Sequence, residues 1–262
     1  MNKYYVFSIL LFGIISTNTA MQRAIQARRP SQVNIVRPFF SNTKTIATIK
    51  AVMDEIENRR LGYEDYSKRT GLVWSDVLVK TGRKADIIKE FQTTKVTQVR
   101  ETLMTQFPQS ILNYPVLQSI VSDEILPKMF ETVRAWTKLP EEVYAQIFFQ
   151  RCCSSEAMDW HQDPGEDYDP QANYSLVLML SEQDDPEHGW HGGKFKIRSG
   201  LPEDKYDEAD VQEIIPQYNQ GIIFNNQLNS HAAMQVIPKL EKAKRDIIVI
   251  PINLTKLPTK KE

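Results

Sequence analysis

The chain has 262 residues and a mass of 30.3 kDa, room for one large domain or a main domain with a smaller companion. Hydrophobic residues at 41% and charged residues at 25% supply a sizeable core and exclude a collagenous, coiled-coil or largely disordered chain. Lys plus Arg number 32 against 33 Asp plus Glu, which argues against duplex nucleic acid as a partner. The two cysteines, adjacent at Cys152 and Cys153, exclude a disulfide framework or a CxxC zinc site, so a bound metal needs His and carboxylate ligands.

Met1 to Ala20 carries Lys3, an apolar run from Tyr4 to Ile15 and the small polar stretch Ser16 to Ala20. This pattern predicts a secretory signal peptide, with an uncleaved anchor or a buried N-terminal element as alternatives. The run is short of the roughly 20 apolar residues that span a bilayer. Residues 21–42 read as a linker; Arg23, Arg28, Arg29 and Arg37 occur there without an acid, as in a solvated, transit or membrane-surface segment. The expected compartment is a secretory lumen, a periplasm or a membrane surface if the segment is a signal, and the cytoplasm otherwise.

Residues 43–140 read as a helical support region. Ile46, Ile49, Met53 and Ile56 share one face of a helix, with Lys50, Asp54, Glu55 and Glu57 on the other. A second helix is expected over Ala85 to Gln106 and a third over Pro127 to Trp136, with Met129, Phe130, Val133 and Trp136 inward. Beyond Pro140 the character changes to short β-branched and aromatic runs: Val143 to Cys153, Tyr174 to Leu180, Lys194 to Ile197, Gly221 to Asn225 and Asp246 to Ile252. Residues 256–262 are a polar tail. Helices followed by strands predict an α+β domain in which helices buttress a mainly antiparallel sheet or barrel.

The chemistry concentrates in Trp160-His161-Gln162-Asp163. On an extended backbone residues two apart project to the same side, so one metal can take both His161 and Asp163. His231, beyond the strand Gly221 to Phe224, is the candidate third ligand. Two His and one carboxylate form the facial set of non-haem Fe(II), which leaves positions open for dioxygen and an organic cosubstrate. Arg245 begins the last strand, and its guanidinium fork suits bidentate pairing with a distal carboxylate.

In this order, HxD, a distal His and a downstream basic residue resemble the 2-oxoglutarate- and Fe(II)-dependent oxygenases. Asn173 to Ser181, Gly192-Gly193-Lys194-Phe195 and Gly221 to Phe224 are similar to the prolyl 4-hydroxylase-like branch, over Tyr144 to Leu254. The resemblance implies a double-stranded β-helix, or jelly-roll, core across residues 141–255. It implies His161, Asp163 and His231 as ligands of Fe(II), and Arg245 as the reader of the far carboxylate of 2-oxoglutarate. The implied reaction consumes dioxygen, releases succinate and carbon dioxide and hydroxylates a substrate, with ascorbate as an accessory reductant. Asp163 favours hydroxylation, because halogenating relatives lack this carboxylate. Two departures stand out. Arg245 lies farther beyond His231 than the family's usual spacing, which leaves Lys242 and Lys244 as alternatives. Cys152 occupies the position of a Tyr that often touches the cosubstrate, and Tyr174 is the candidate substitute.

The remaining features have plainer readings. His188 and His191 sit in an acidic, turn-rich stretch expected to be solvated. Cys152 and Cys153 read as small buried hydrophobes, and Trp160 as packing support for the ligand strand or a wall of the cleft. The acids Glu166, Asp167, Asp169, Glu182, Asp184, Asp185 and Glu187 favour a peptide or protein substrate over nucleic acid, with a small molecule as a further class. A cupin-like metal-binding jelly roll with another activity, or a non-catalytic binding module, is the competing expectation.

Overall fold

The computed structural model describes residues 32–58, 69–91, 110–152, 157–163, 172–181, 189–239 and 244–254. The elements ahead of the core strands are β1 (Val33–Val36), α1 (Thr43–Asn58), β2 (Arg69–Thr81), β3 (Ala85–Phe91) and α2 (Pro115–Ile120). A π turn (Val121–Ile125) leads from α2 into α3 (Leu126–Arg134). The strands that follow are β4 (Glu142–Cys152), β5 (Met158–His161), β6 (Tyr174–Met179), β7 (Trp190–Gly192), β8 (Phe195–Ser199) and β9 (Gln212–Ile214). The last four are β10 (Gln220–Asn225), β11 (Asn229–Ala233), β12 (Val236–Pro238) and β13 (Arg245–Asn253).

Four antiparallel pairings nest inside one another along the chain. β4 pairs with β13, β5 with β11, β6 with β10 and β8 with β9, the pairing of a jelly roll. These eight strands divide between a seven-stranded sheet, β1-β10-β6-β13-β4-β2-β3, and a four-stranded sheet, β5-β11-β8-β9, with β7 and β12 forming a separate ribbon. Alternation along each strand then makes two cores. Val177, Met179, Ile222, Phe224 and Ile247 face Phe195, Ile197 and Ile214 between the two sheets. Leu176, Leu178, Ile248, Ile250, Ile147 and Phe149 face outward onto the helices.

The helix expected from Ile46, Ile49, Met53 and Ile56 is present as α1, and all four side chains are buried. Each such burial is worth roughly 1.5–3 kcal/mol relative to exposure. Asn42 caps it: its side-chain oxygen accepts from the Lys44 N–H at 3.0 Å and its carbonyl from the Thr45 N–H at 3.1 Å. The opposite face is used as well, since Asp54 and Glu57 reach Arg151 on the outer face of β4 at 2.7 and 2.6 Å. Met129, Phe130 and Val133 of α3 are likewise fully buried.

Three expectations change. The region 43–140 is not a helical support layer, because β2 and β3 lie within it and extend the larger sheet. The helix predicted over Ala85 to Gln106 is a strand from Ala85 to Phe91, and its continuation lies outside the described residues. The linker assigned to 21–42 is structural from Val33 on: β1 pairs with β10, and Phe39 and Phe40 are buried. Gly221 of β10 makes that fit possible, since a Cβ there would lie 2.3 Å from the Phe39 ring. The signal segment 1–20, the tail 256–262, Cys153, His188, Lys242 and the acids of 166–169 and 182–187 lie outside the described residues.

Candidate metal centre

β5 and β11 run antiparallel with His161 directly opposite His231. Both imidazoles turn into the space between the sheets, where their ring centres are 4.1 Å apart. Asp163, two residues beyond His161, presents its carboxylate to both: Oδ1 lies 3.8 Å from His161 Nε2 and Oδ2 lies 3.6 Å from His231 Nε2. The three ligand atoms fall within 4.8 Å of one another. His161 Nδ1 lies 2.7 Å from the Asp159 carbonyl, which only accepts, so Nδ1 carries the proton and Nε2 keeps its lone pair for a metal. The main-chain oxygen of Asp163 accepts from the Ala172 N–H at 3.0 Å and from the Asn226 side-chain amide, which pins the carboxylate's backbone.

His231 is the most enclosed ligand. Phe195 stacks on it at 5.2 Å and Phe224 meets it edge-on at 4.9 Å. Burial pushes its imidazole down to about 4, against the opposing pull of Asp163, so the ring is neutral and able to ligate at neutral pH. Asp163 Oδ2 is buried without a hydrogen-bond partner among the described residues. Two imidazole nitrogens and a carboxylate oxygen converging on one point fit a divalent cation.

The same burial predicts a pH dependence of the metal-free protein. Unfolded, His231 takes up a proton near its ordinary 6.5, whereas folded it resists protonation down to about 4. The unfolded state therefore binds more protons across that window, and stability falls as pH drops from about 6.5 toward 4. With each unit worth about 1.4 kcal/mol, the loss is on the order of 3 kcal/mol. Urea unfolding at stepped pH reads it, and a His231→Leu variant should lack this part of the slope.

Arg245 starts β13 on the face that looks between the sheets. Its guanidinium carbon lies 5.0 Å from the Trp190 ring centre, and Nη2 is 3.5 Å from Met179 Sδ. Lys244 is drawn the other way, to Glu57 of α1, which leaves Arg245 as the described cation on the inner face at this end of β13. Tyr174 does not share that face. It belongs to the helix-side core and stacks on Trp136 at 5.9 Å, and burial raises its phenol above 10.0. The sheet itself therefore lies between Tyr174 and the three candidate ligands. Trp160 also faces outward, donating to Tyr206 Oη at 3.0 Å and covering Arg198, so of its two readings packing support stands. His191 is exposed. Sequence reasoning missed Trp190, which is buried beside Arg245; the signal present was an aromatic residue separated from the pair Gly192-Gly193 by His191 alone.

No protein-family model matches the sequence, and no curated protein matches it. Solved structures do. The Fe(II)/α-ketoglutarate-dependent dioxygenase TqaL is similar over 95% of this chain and 90% of its own, with TM-score 0.54 and 11% identity. A BsmA homologue from Methylobium petroleophilum PM1 is similar over 92% and 94%, with TM-score 0.51 and 13% identity. A prolyl-4-hydroxylase from Pseudomonas putida is matched over 86% and 89%, with TM-score 0.47 and 8% identity. The fold is thus one shared with the dioxygenase TqaL, in line with the nested strand pairing of a jelly roll.

Proposed function

We propose that this chain is an Fe(II)- and 2-oxoglutarate-dependent dioxygenase that hydroxylates a peptidyl residue, prolyl foremost. One observation carries the reading: His161, Asp163 and His231 bring their ligand atoms within 4.8 Å of one another between the sheets of a jelly roll. In this reading these three side chains would hold Fe(II), and Arg245 would pair with the far carboxylate of 2-oxoglutarate. The bound iron supplies the coupling of 2-oxoglutarate oxidation, by dioxygen, to hydroxylation of a substrate C–H bond. The chain's own residues set the conditions. The Asp159 carbonyl fixes the His161 tautomer, Phe195 and Phe224 keep water from His231, and Asp163 supplies the negative charge.

A peptide is favoured by the shape of the larger sheet. β2 and β3 carry it beyond β4, and the four-stranded sheet has no described counterpart to them. Tyr144 of β4 shares the face of Arg245 through the β4–β13 register. Phe91 packs against Tyr144 at 5.7 Å with Lys89 Nζ 4.8 Å over its ring. The chain's formal charge of -1 does not favour nucleic acid.

The test is anaerobic loading with Fe(II), then titration of 2-oxoglutarate while watching for the visible charge-transfer band of chelated cosubstrate. Succinate should follow when air is admitted, faster with a proline-containing peptide. Arg245→Ala should weaken 2-oxoglutarate by about 30-fold or more, as expected for losing a buried charge pair, with iron affinity unchanged. Equal loss of iron in that variant would contradict the role given to Arg245.

A further inference from the structure

We infer that the indole N–H of Trp190 is a second donor to the far carboxylate of 2-oxoglutarate, beside Arg245; the inference rests on the function proposed above. Trp190 is 1% exposed, and among the described residues it is the largest fully buried side chain and its Nε1 has no acceptor. Buried donors are almost always paired, so an orphan marks the place of a water or a ligand. Trp190 lies outside the two apolar clusters that line the sheets. Its charged neighbour is the Arg245 guanidinium, 5.0 Å from the ring centre. Guanidinium offers donors only and cannot satisfy the indole N–H. Arg245 lies over the face of the ring and the N–H lies in the ring plane, so the inferred acceptor is a carboxylate oxygen held by the Arg245 fork at the edge of the indole.

The backbone around Trp190 is built to hold the ring in place. Pro238, Ile237 and Val236 of β12 pair with Trp190, His191 and Gly192 of β7. Gly192 and Gly193 follow with φ of +76° and +62°, a region that favours glycine. A Cβ on Gly193 would lie 2.7 Å from Trp190 Cζ3, and one on Gly192 would lie 2.1 Å from the Gln235 carbonyl oxygen. The Gly-Gly turn therefore closes directly on the indole, which fixes the direction of its N–H. Two fixed donors, a guanidinium fork and an indole N–H, select a 2-oxo acid with a second carboxylate over one without.

The experiment uses the full chain loaded anaerobically with Fe(II) and reads the charge-transfer band. Trp190→Phe keeps an aromatic ring over Arg245 and removes the donor. The Kd for 2-oxoglutarate should rise about tenfold, the scale of one hydrogen bond to a charged group. The Kd for 2-oxopentanoate, the same carbon chain without the far carboxylate, should stay unchanged, as should iron affinity. A measurement on the unaltered protein covers a variant that does not fold. With Zn(II) as the diamagnetic substitute, one of the four Trp indole N–H signals should move downfield with 2-oxoglutarate and not with 2-oxopentanoate. An unchanged Kd in Trp190→Phe, equal weakening of both acids, or no indole shift would each overturn the inference while leaving the oxygenase reading intact. Absence of the band in the unaltered protein would remove the proposed function and this inference together.

Discussion

Replacing His231 with alanine should abolish retention of Fe(II) and, with it, any succinate formation. Loss of even a group that merely orients a metal ligand costs about 10–100-fold in metal affinity, so removing a ligand outright should cost more. His231 is the most informative of the three because it sits between Phe195 and Phe224 at 5.2 and 4.9 Å, where no other described side chain offers a replacement nitrogen. His161→Ala and Asp163→Ala should give the same loss, and Asp163→Ala should additionally relieve the uncompensated carboxylate, so the metal-free variant folds at least as stably as the parent. His191→Ala is the control: the residue is exposed on β7 and its removal should leave affinity intact. Equilibrium dialysis with Fe(II) or Co(II) under argon measures all four. A His191 variant that loses the ion, or a His231 variant that keeps it, would mean that the ligand set is wrongly drawn.

The convergence of the three candidate ligands was legible because their information is local. Extended backbone puts residues two apart on one side by parity, and Asp163 keeps to the side of His161 although β5 ends at His161; the stretch before His231 carries its own strand signal. Arg245 was legible for the same reason, as the first residue of a β-branched run. The face of Tyr174 was not. Tyr174–Met179 is buried at every position, so the pattern contains no polar side to say which way each residue points. β3 was misread as a helix because of a bulge: the β2–β3 register shifts between Leu78 and Val79. That shift breaks the period of two, and Ile87, Ile88 and Phe91 fall at helix-like intervals of three and four. Trp190 was hidden by its acidic flank, which reads as solvent-facing. Its burial comes from the pairing of β7 with β12, a contact between segments that no local pattern announces.

The second large effect concerns the strand that carries Arg245. Successive residues of β13 point to opposite faces, so Asp246 faces outward, where Arg151 of β4 donates from Nε and Nη2 to its two oxygens at 2.7 and 2.9 Å. The same guanidinium reaches Asp54 and Glu57 of α1 at 2.7 and 2.6 Å, tying the helix to both strands. Burial alone would lower the Arg151 pKa, yet hydrogen bonding and charge from Asp246, with Asp54 and Glu57, raise it. Arg151→Met keeps the chain's length and apolar stem but strands Asp246, itself 1% exposed, as a buried charge without its partner. Breaking a buried pair in this way costs about 3–5 kcal/mol, a large share of a domain's stability, and thermal unfolding should register it as a marked drop in Tm. Replacing both residues, Arg151→Met with Asp246→Leu, should recover much of the loss, because the desolvated carboxylate goes with the guanidinium. The folded fraction of either variant should still bind Fe(II), since His161 and His231 stand on strands of the other sheet. Its affinity for 2-oxoglutarate should fall, since Arg245 is anchored through Asp246, the next residue along. A single variant as stable as the parent would show that the pair adds nothing net, and a double variant no better than the single would locate the cost in the loss of Asp54 and Glu57 contacts to α1.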